Sequence, residues 1–253
     1  MKNKIREYLR TLGIEKCGFA HIGGKSAVVC LFPYYTGDSE GNLSLYCRGT
    51  DYHNIVGEKL RLGSEFIKSI VPNVECSVSC DTGAPIDRKL ANLAGLGFYG
   101  DNNMLINEDF GSYFFIGYIL CDIFIEADKP LERECMHCGA CRRACPGKAL
   151  DNGFDIEKCA SHIGQKKGEL SDSEIEILKR CGSVFGCDIC QRVCPHNKIG
   201  KTAMEEFTRD IMPSLSLDDI ESLSGREFLR KYKNRAFSWR GKKVLERNLK
   251  ELR

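Results

Sequence analysis

The sequence predicts a mixed fold, α+β or α/β, in three parts: an N-terminal layer of strands and helices, a cysteine-rich module and a helical C-terminal extension. Three observations point there. Short apolar runs take turns with amphipathic stretches over the first 125 residues, as expected of strands and helices sharing a layer. Nine of the fifteen cysteines then crowd into residues 135–194, a stretch with little apolar pattern of its own. From about residue 200 the pattern is helical to the end. The parts are set at 1–130, 131–200 and 201–253, with Pro130 marking the first boundary.

In order, residues 4–12 place Ile5, Leu9 and Leu12 at helical spacing, and Gly13 suits a C-terminal stop. "AVVCLF" (27–32) reads as a buried strand ended by Pro33, and residues 55–70 as a helix. "VECSVSC" (74–80) alternates as a half-buried strand should. It runs into "DTGAPIDRKLANLAGLG", a turn, a helix and a glycine-rich break. "SYFFIGYILCDIFI" (112–125) is a long apolar strand.

Composition is that of an ordinary soluble domain, 42% hydrophobic and 28% charged. No apolar run approaches the roughly 18 residues that span a bilayer, and the charged N-terminus has no signal-peptide core. A cytoplasmic protein with no membrane partner is expected. The net charge of +2 conceals an asymmetry, because residues 225–253 hold eleven Lys and Arg against three Glu, a net +8. Such a segment suits an anionic partner, or else a solvated amphipathic helix.

An odd cysteine count without an export signal argues against disulfides and for metal. In "CMHCGACRRACP" (135–146) the C-x2-C-x2-C spacing turns three sulfurs toward one iron–sulfur cube, and the fourth cysteine, before proline, points to a neighbouring cube. "GCDICQRVCP" (186–195) repeats the logic one cysteine short, and Cys159 can supply the missing ligand. The count closes on two [4Fe–4S] clusters: Cys135, Cys138, Cys141 and Cys194 for one, and Cys145, Cys159, Cys187 and Cys190 for the other. Cys181 is left as a plain thiol. Structural zinc also uses C-x2-C pairs, but does not explain two runs with crossed ligands. The six remaining cysteines sit mostly on strand-like runs and read as inert core thiols.

The blocks "GNLSLYCRGTDYH" (41–53), "DTGAPIDRKLANLAGLGFYGDNNML" (81–105), "FGSYFFIGYIL" (110–120), the cysteine region and "FSWRGKKVLERN" (237–248) together resemble the epoxyqueuosine reductase family. Relative to that family the chain is short, without the C-terminal helical repeats, and has Phe98 and Asp101 where a Trp and a Lys are usual. The resemblance implies a cobalamin-dependent iron–sulfur oxidoreductase, related to corrinoid reductive dehalogenases, that reduces epoxyqueuosine to queuosine at the tRNA wobble position. It also implies a low-potential electron donor such as a flavodoxin or ferredoxin.

By the same resemblance Asp81 is the general acid, with a pKa that burial against the corrinoid would have to raise. Its bland alternative is a helix N-cap. Gly97, Gly100 and Asn102 would contact the corrinoid, and Tyr52 and His53 would lie near the active site. Trp239, Tyr232 and Phe237, interleaved with Arg and Lys, either stack on unpaired bases or pack the last helix. Two other functions remain open: a corrinoid and iron–sulfur reductase of a small epoxide or organohalide, and a two-cluster electron carrier without corrinoid.

Overall fold

The computed structural model describes residues 1–81 and 86–253. Helix α1 (Lys2–Thr11) buries Ile5 and Leu9, and Gly13 reverses the chain at φ 78°. The hairpin β1 (Lys16–Ile22) and β2 (Lys25–Pro33) follows; β1, interrupted by Lys16, Gly18 and His21, carried no sequence signal. Helix α2 (Tyr52–Ile70) is capped by Asp51, whose side chain accepts from the His53 N–H. Next come the short strand β3 (Cys76–Ser79) and helix α3 (Asp87–Leu93). A two-strand ribbon β4 (Phe98–Tyr99) and β5 (Leu105–Ile106) leads to β6 (Phe114–Cys121).

The four main strands order β1-β2-β6-β3, with every pairing antiparallel. Of the two expected classes, α+β therefore holds. The long apolar runs are strands covered on both faces. Val28, Cys30 and Phe32 pack with Val56 and Leu60 of α2 in the larger core, whereas Ala27, Val29 and Leu31 pack with Leu90 and Ala91 of α3 in the second. This alternation is the period of two expected of a strand. Each fully buried aliphatic contributes about 1.5–3 kcal/mol of burial. Gly117 sets how closely α2 lies on the sheet, since a Cβ there would fall 2.7 Å from Val56 and 2.8 Å from Leu60.

The cysteine-rich region has short helices only: α4 (Ala140–Ala144), α5 (Ala160–Ile163), α6 (Asp172–Cys181) and α7 (Ile189–Arg192). Ser171 and Glu174 form a capping box that starts α6. The C-terminal part is less helical than expected. Residues 209–223 are irregular, and helices resume only at α8 (Gly225–Tyr232) and α9 (Lys242–Glu251). These return to the larger core, where Phe228, Tyr232, Phe237 and Leu245 are buried beside residues of the sheet. No helix among the described residues is long and apolar enough to cross a membrane.

Candidate active site and cluster pockets

The two cysteine runs fold into two separate pockets. Cys135, Cys138, Cys141 and Cys194 line one, beside Asp101 and His196. The chain turns through left-handed residues at His137 (φ 49°) and Gly139 (φ 69°), which curls the first three sulfurs onto a common side. Cys145, Cys159, Cys187 and Cys190 line a second, much larger cavity. Burial raises the thiol pKa values of Cys141, Cys159, Cys190 and Cys194. Thiols held this way ionise when a cation supplies the compensating charge, which is the chemistry of an iron–sulfur site. Cys181 sits against Cys187 and raises its pKa through a hydrogen bond.

Two polar clamps lock this module onto the sheet. The buried Asp188 carboxylate accepts from Ser44 Oγ at 2.5 Å and from the Leu45 N–H at 2.8 Å. Gly186 lets the chains touch there, since a Cβ would lie 2.4 Å from Ser44. On the other side, Asn197 Oδ1 accepts from the Ser112 N–H at 2.7 Å, its Nδ2 donates to Ser112 Oγ and Gln191 O at 2.8 Å, and Gln191 Nε2 donates to Ser112 O at 2.9 Å. The conspicuous blocks around 41–48 and 110–112 are thus anchors for the cluster loops.

The larger cavity holds about 910 Å³ and runs from the four cysteines to Tyr52, His53, Asp81 and Asp87. Asp81 follows β3 in a left-handed conformation (φ 53°) with its side chain exposed to this space. It is not a helix cap, because α3 begins at Asp87 with Ile86 at the N-cap position; Thr82 to Pro85 lie outside the described residues. The Tyr52 hydroxyl donates to Asp81 Oδ2 at 2.5 Å. Burial first and the Asp81 charge second raise the phenol's pKa, so it stays a donor in that bond. The Tyr52 ring is fixed by parallel stacking on Phe115, centroids 3.9 Å apart, and by His53 at 4.1 Å on the other side. Asp51 hydrogen-bonds His53 and raises its pKa.

Asp87 is a site residue the sequence reading missed. It faces the same cavity, and burial, then the Asp81 charge, push its carboxyl up to about 6. In sequence it is only an acid in the first turn of a helix, an ordinary place for one.

The glycine block divides. Asn102 is buried between the two pockets and lines both, with its Nδ2 unpartnered. Gly100 lines the first cluster pocket, where a Cβ would meet Asn102 Oδ1 at 2.5 Å. Gly97 instead faces the ribbon, its missing Cβ 2.7 Å from Ile106 O. Asp101 has a local partner in His137 Nδ1 at 2.8 Å, and Phe98 meets the His196 ring edge-on.

The aromatics of the basic segment also separate. Tyr232 and Phe237 are core residues, whereas Trp239 is 61% exposed, lines the cavity and carries the Arg240 guanidinium 3.6 Å from its ring centroid. Lys242 is committed to the carbonyls of Glu221 and Leu223, and Arg247 to those of Lys166 and Gly168.

Comparison with known proteins agrees with this geometry. The family model described as "4Fe-4S double cluster binding domain" matches residues 134–197, and the one described as "Epoxyqueuosine reductase QueG, DUF1730" matches residues 20–82. The epoxyqueuosine reductase of Lactococcus garvieae is 35% identical over 86% of this chain and 62% of its own length; that of Bacillus subtilis is 37% identical over 81% and 54%. The chain therefore spans little more than half the length of some relatives. The Bacillus cereus epoxyqueuosine reductase is 33% identical over 98% of this chain and 78% of its own. A crystal structure of selenomethionine-labelled epoxyqueuosine reductase superposes with a TM-score of 0.90, 28% identity, and coverage of 99% of this chain and 80% of the other. A crystal structure of epoxyqueuosine reductase with an epoxyqueuosine-modified tRNA stem loop superposes at 0.89, 28% identical, with the same coverage. With one cysteine-lined pocket, a second set of four cysteines lining the large cavity, and these relatives, the chain belongs to the epoxyqueuosine reductase family.

Proposed function

We propose that this chain reduces epoxyqueuosine in tRNA to queuosine, using two [4Fe–4S] clusters and cobalamin. The observation that carries the reading is one cavity lined both by four cysteines and by the Tyr52–Asp81 pair. Converting the epoxide to an alkene consumes two electrons and two protons and releases water. A site for it needs an electron source and an acid facing one substrate, and this cavity offers both.

The cavity suits a corrinoid. Its volume is at the upper end for ligand pockets, its wall beside the cysteines is apolar through Ala149 and Leu150, and the orphaned Asn102 Nδ2 offers a buried donor. Cobalamin bound there would supply low-valent cobalt as the two-electron reductant. In this reading Cys135, Cys138, Cys141 and Cys194 hold one cluster, and Cys145, Cys159, Cys187 and Cys190 hold the cluster nearer the cavity. Asn102 is a corrinoid contact, with Gly100 behind it against the first cluster.

Asp81 supplies the proton to the departing epoxide oxygen, and Tyr52 holds its carboxyl in place. His53 stiffens Tyr52 by stacking, and Asp87 keeps a second carboxyl beside Asp81. The Bacillus subtilis reductase has been solved with an aspartate catalytic loop swung out of its active site, which fits a proton donor carried on a short segment after β3. Trp239, exposed beside the cavity, and the half-buried Arg240 stacked on its ring suit a base and phosphate of the tRNA. The units 1–130, 131–200 and 201–253 then act as catalytic layer, electron module and tRNA-facing extension. A tRNA substrate implies a cytoplasmic setting, and a flavodoxin or ferredoxin would deliver electrons.

The test is anaerobic reconstitution with iron, sulfide and cobalamin, then incubation with a low-potential reductant and epoxyqueuosine-containing tRNA. Conversion supports the reading. Turnover of a small epoxide or organohalide but not of tRNA replaces the substrate, and no retention of cobalamin makes the protein an electron carrier.

A further inference from the structure

We propose that Cys76 and Cys121 form a redox-active pair that closes to a disulfide across β3 and β6, tethering the strand that delivers Asp81. Neither belongs to the cluster pockets, and the inference does not depend on the substrate. Their Sγ atoms lie 3.3 Å apart, and the two residues are direct cross-strand partners. The neighbouring pair fixes the local pattern: the Asp122 N–H donates to Glu75 O at 3.2 Å, so Glu75 and Asp122 are a hydrogen-bonded pair. In an antiparallel ladder the next pair, Cys76 and Cys121, is then non-hydrogen-bonded, the type whose side chains approach most closely. The Cα spacing of such a pair, about 4.5 Å, falls within the range a disulfide spans, so the bond forms without moving the strands.

The two thiols differ in access. Cys121 is fully buried, while Cys76 is half-buried on β3, the edge strand of the sheet, between the exposed Glu75 and Ser77. With a low-molecular-weight disulfide such as oxidised glutathione as oxidant, the Cys76 thiolate attacks one sulfur and expels a first glutathione. The Cys121 thiol gives up its proton and attacks the Cys76 sulfur, expelling a second. Two protein thiols lose two electrons and two protons, and one oxidised glutathione becomes two reduced ones. The new bond closes a 45-residue separation enclosing Asp81, α3 and the β4–β5 ribbon. It pins β3 five positions before Asp81, where the sheet holds that strand from one side only.

The experiment uses the full chain with both clusters loaded, held anaerobically with oxidised glutathione, quenched in denaturant with iodoacetamide and mapped by mass spectrometry. The expected product is a peptide linked through Cys76 and Cys121, absent from Cys76→Ser, with iron content unchanged. Hydrogen exchange of amides 77–81 should slow at least several-fold on oxidation, and return on reduction. Alkylation of both thiols after oxidation, or a stable glutathione adduct on Cys76 with Cys121 still free, overturns the pair. A linked peptide with unchanged exchange at 77–81 overturns the tether.

Discussion

Replacing Tyr52 with Phe removes one oxygen from the site and little else. The ring keeps its stack on Phe115 at 3.9 Å, while the 2.5 Å hydrogen bond to Asp81 is lost. A neutral side-chain hydrogen bond contributes about 0.5–1.5 kcal/mol. Because the Asp81 side chain is exposed and water can substitute, the middle of that range, about 1 kcal/mol, applies here. At about 1.4 kcal/mol per decade, Tyr52→Phe should slow single-turnover reduction of epoxyqueuosine by roughly 5-fold. Iron content should stay at the wild-type value and the melting temperature within about 2 °C. The assay is anaerobic rapid quench with nucleoside analysis by liquid chromatography and mass spectrometry. A rate within about twofold of wild type, with cofactors fully loaded, would refute the claim that Tyr52 positions the acid.

Asn197→Ala strips the buried Ser112 N–H of its partner and leaves Gln191 O with the Cys194 N–H alone, costing about 2–4 kcal/mol, and thermal denaturation should show a fall of roughly 5–15 °C. Asp87 has its carboxyl raised to about 6 in the fold. Its ionisation therefore costs stability progressively as pH rises from about 4 to 6, and fully above that. Asp87→Asn should gain melting temperature over wild type at pH 8 and lose that gain as pH falls from about 6 to about 4; a constant difference across this range contradicts the assignment. Cys159→Ala should halve the eight irons per chain and Cys181→Ala should keep all eight; iron loss on Cys181→Ala alone would exchange their roles. Trp239→Ala together with Arg240→Ala should weaken tRNA binding and flatten its salt dependence by about one contact, read by filter binding at several salt concentrations.

Much of the site was legible because its chemistry demands particular residues at particular spacings. Intervals group seven cysteines and the count adds Cys159, and the fold lines two pockets with the same two sets of four. Strands β2 and β6 showed plainly because both faces are covered, leaving unbroken apolar runs. Strand β1 did not, because Lys16, Gly18 and His21 interrupt its pattern and pairing with β2 supplies the order. Antiparallel pairing was equally hidden, since apolar runs separated by helices carry no mark of direction. The basic segment was legible only in part: charge is countable, but only packing shows that Tyr232 and Phe237 are core and that Lys242 and Arg247 hold carbonyls. Asp87 and Asp188 were invisible because a carboxylate acquires its role from the burial and partners that folding brings to it.

The central claim is that one cavity presents electrons from the cluster wall and a proton from Asp81 to epoxyqueuosine. The most direct measurement is the mass-spectrometric nucleoside profile of epoxyqueuosine-containing tRNA. The enzyme should carry eight irons and bound cobalamin, act under a low-potential reductant, and be compared with Asp81→Ala loaded to the same level. The account predicts queuosine, lighter by one oxygen atom, from the wild type and none from Asp81→Ala. No queuosine from a fully loaded wild type, or equal amounts from both proteins, would contradict it.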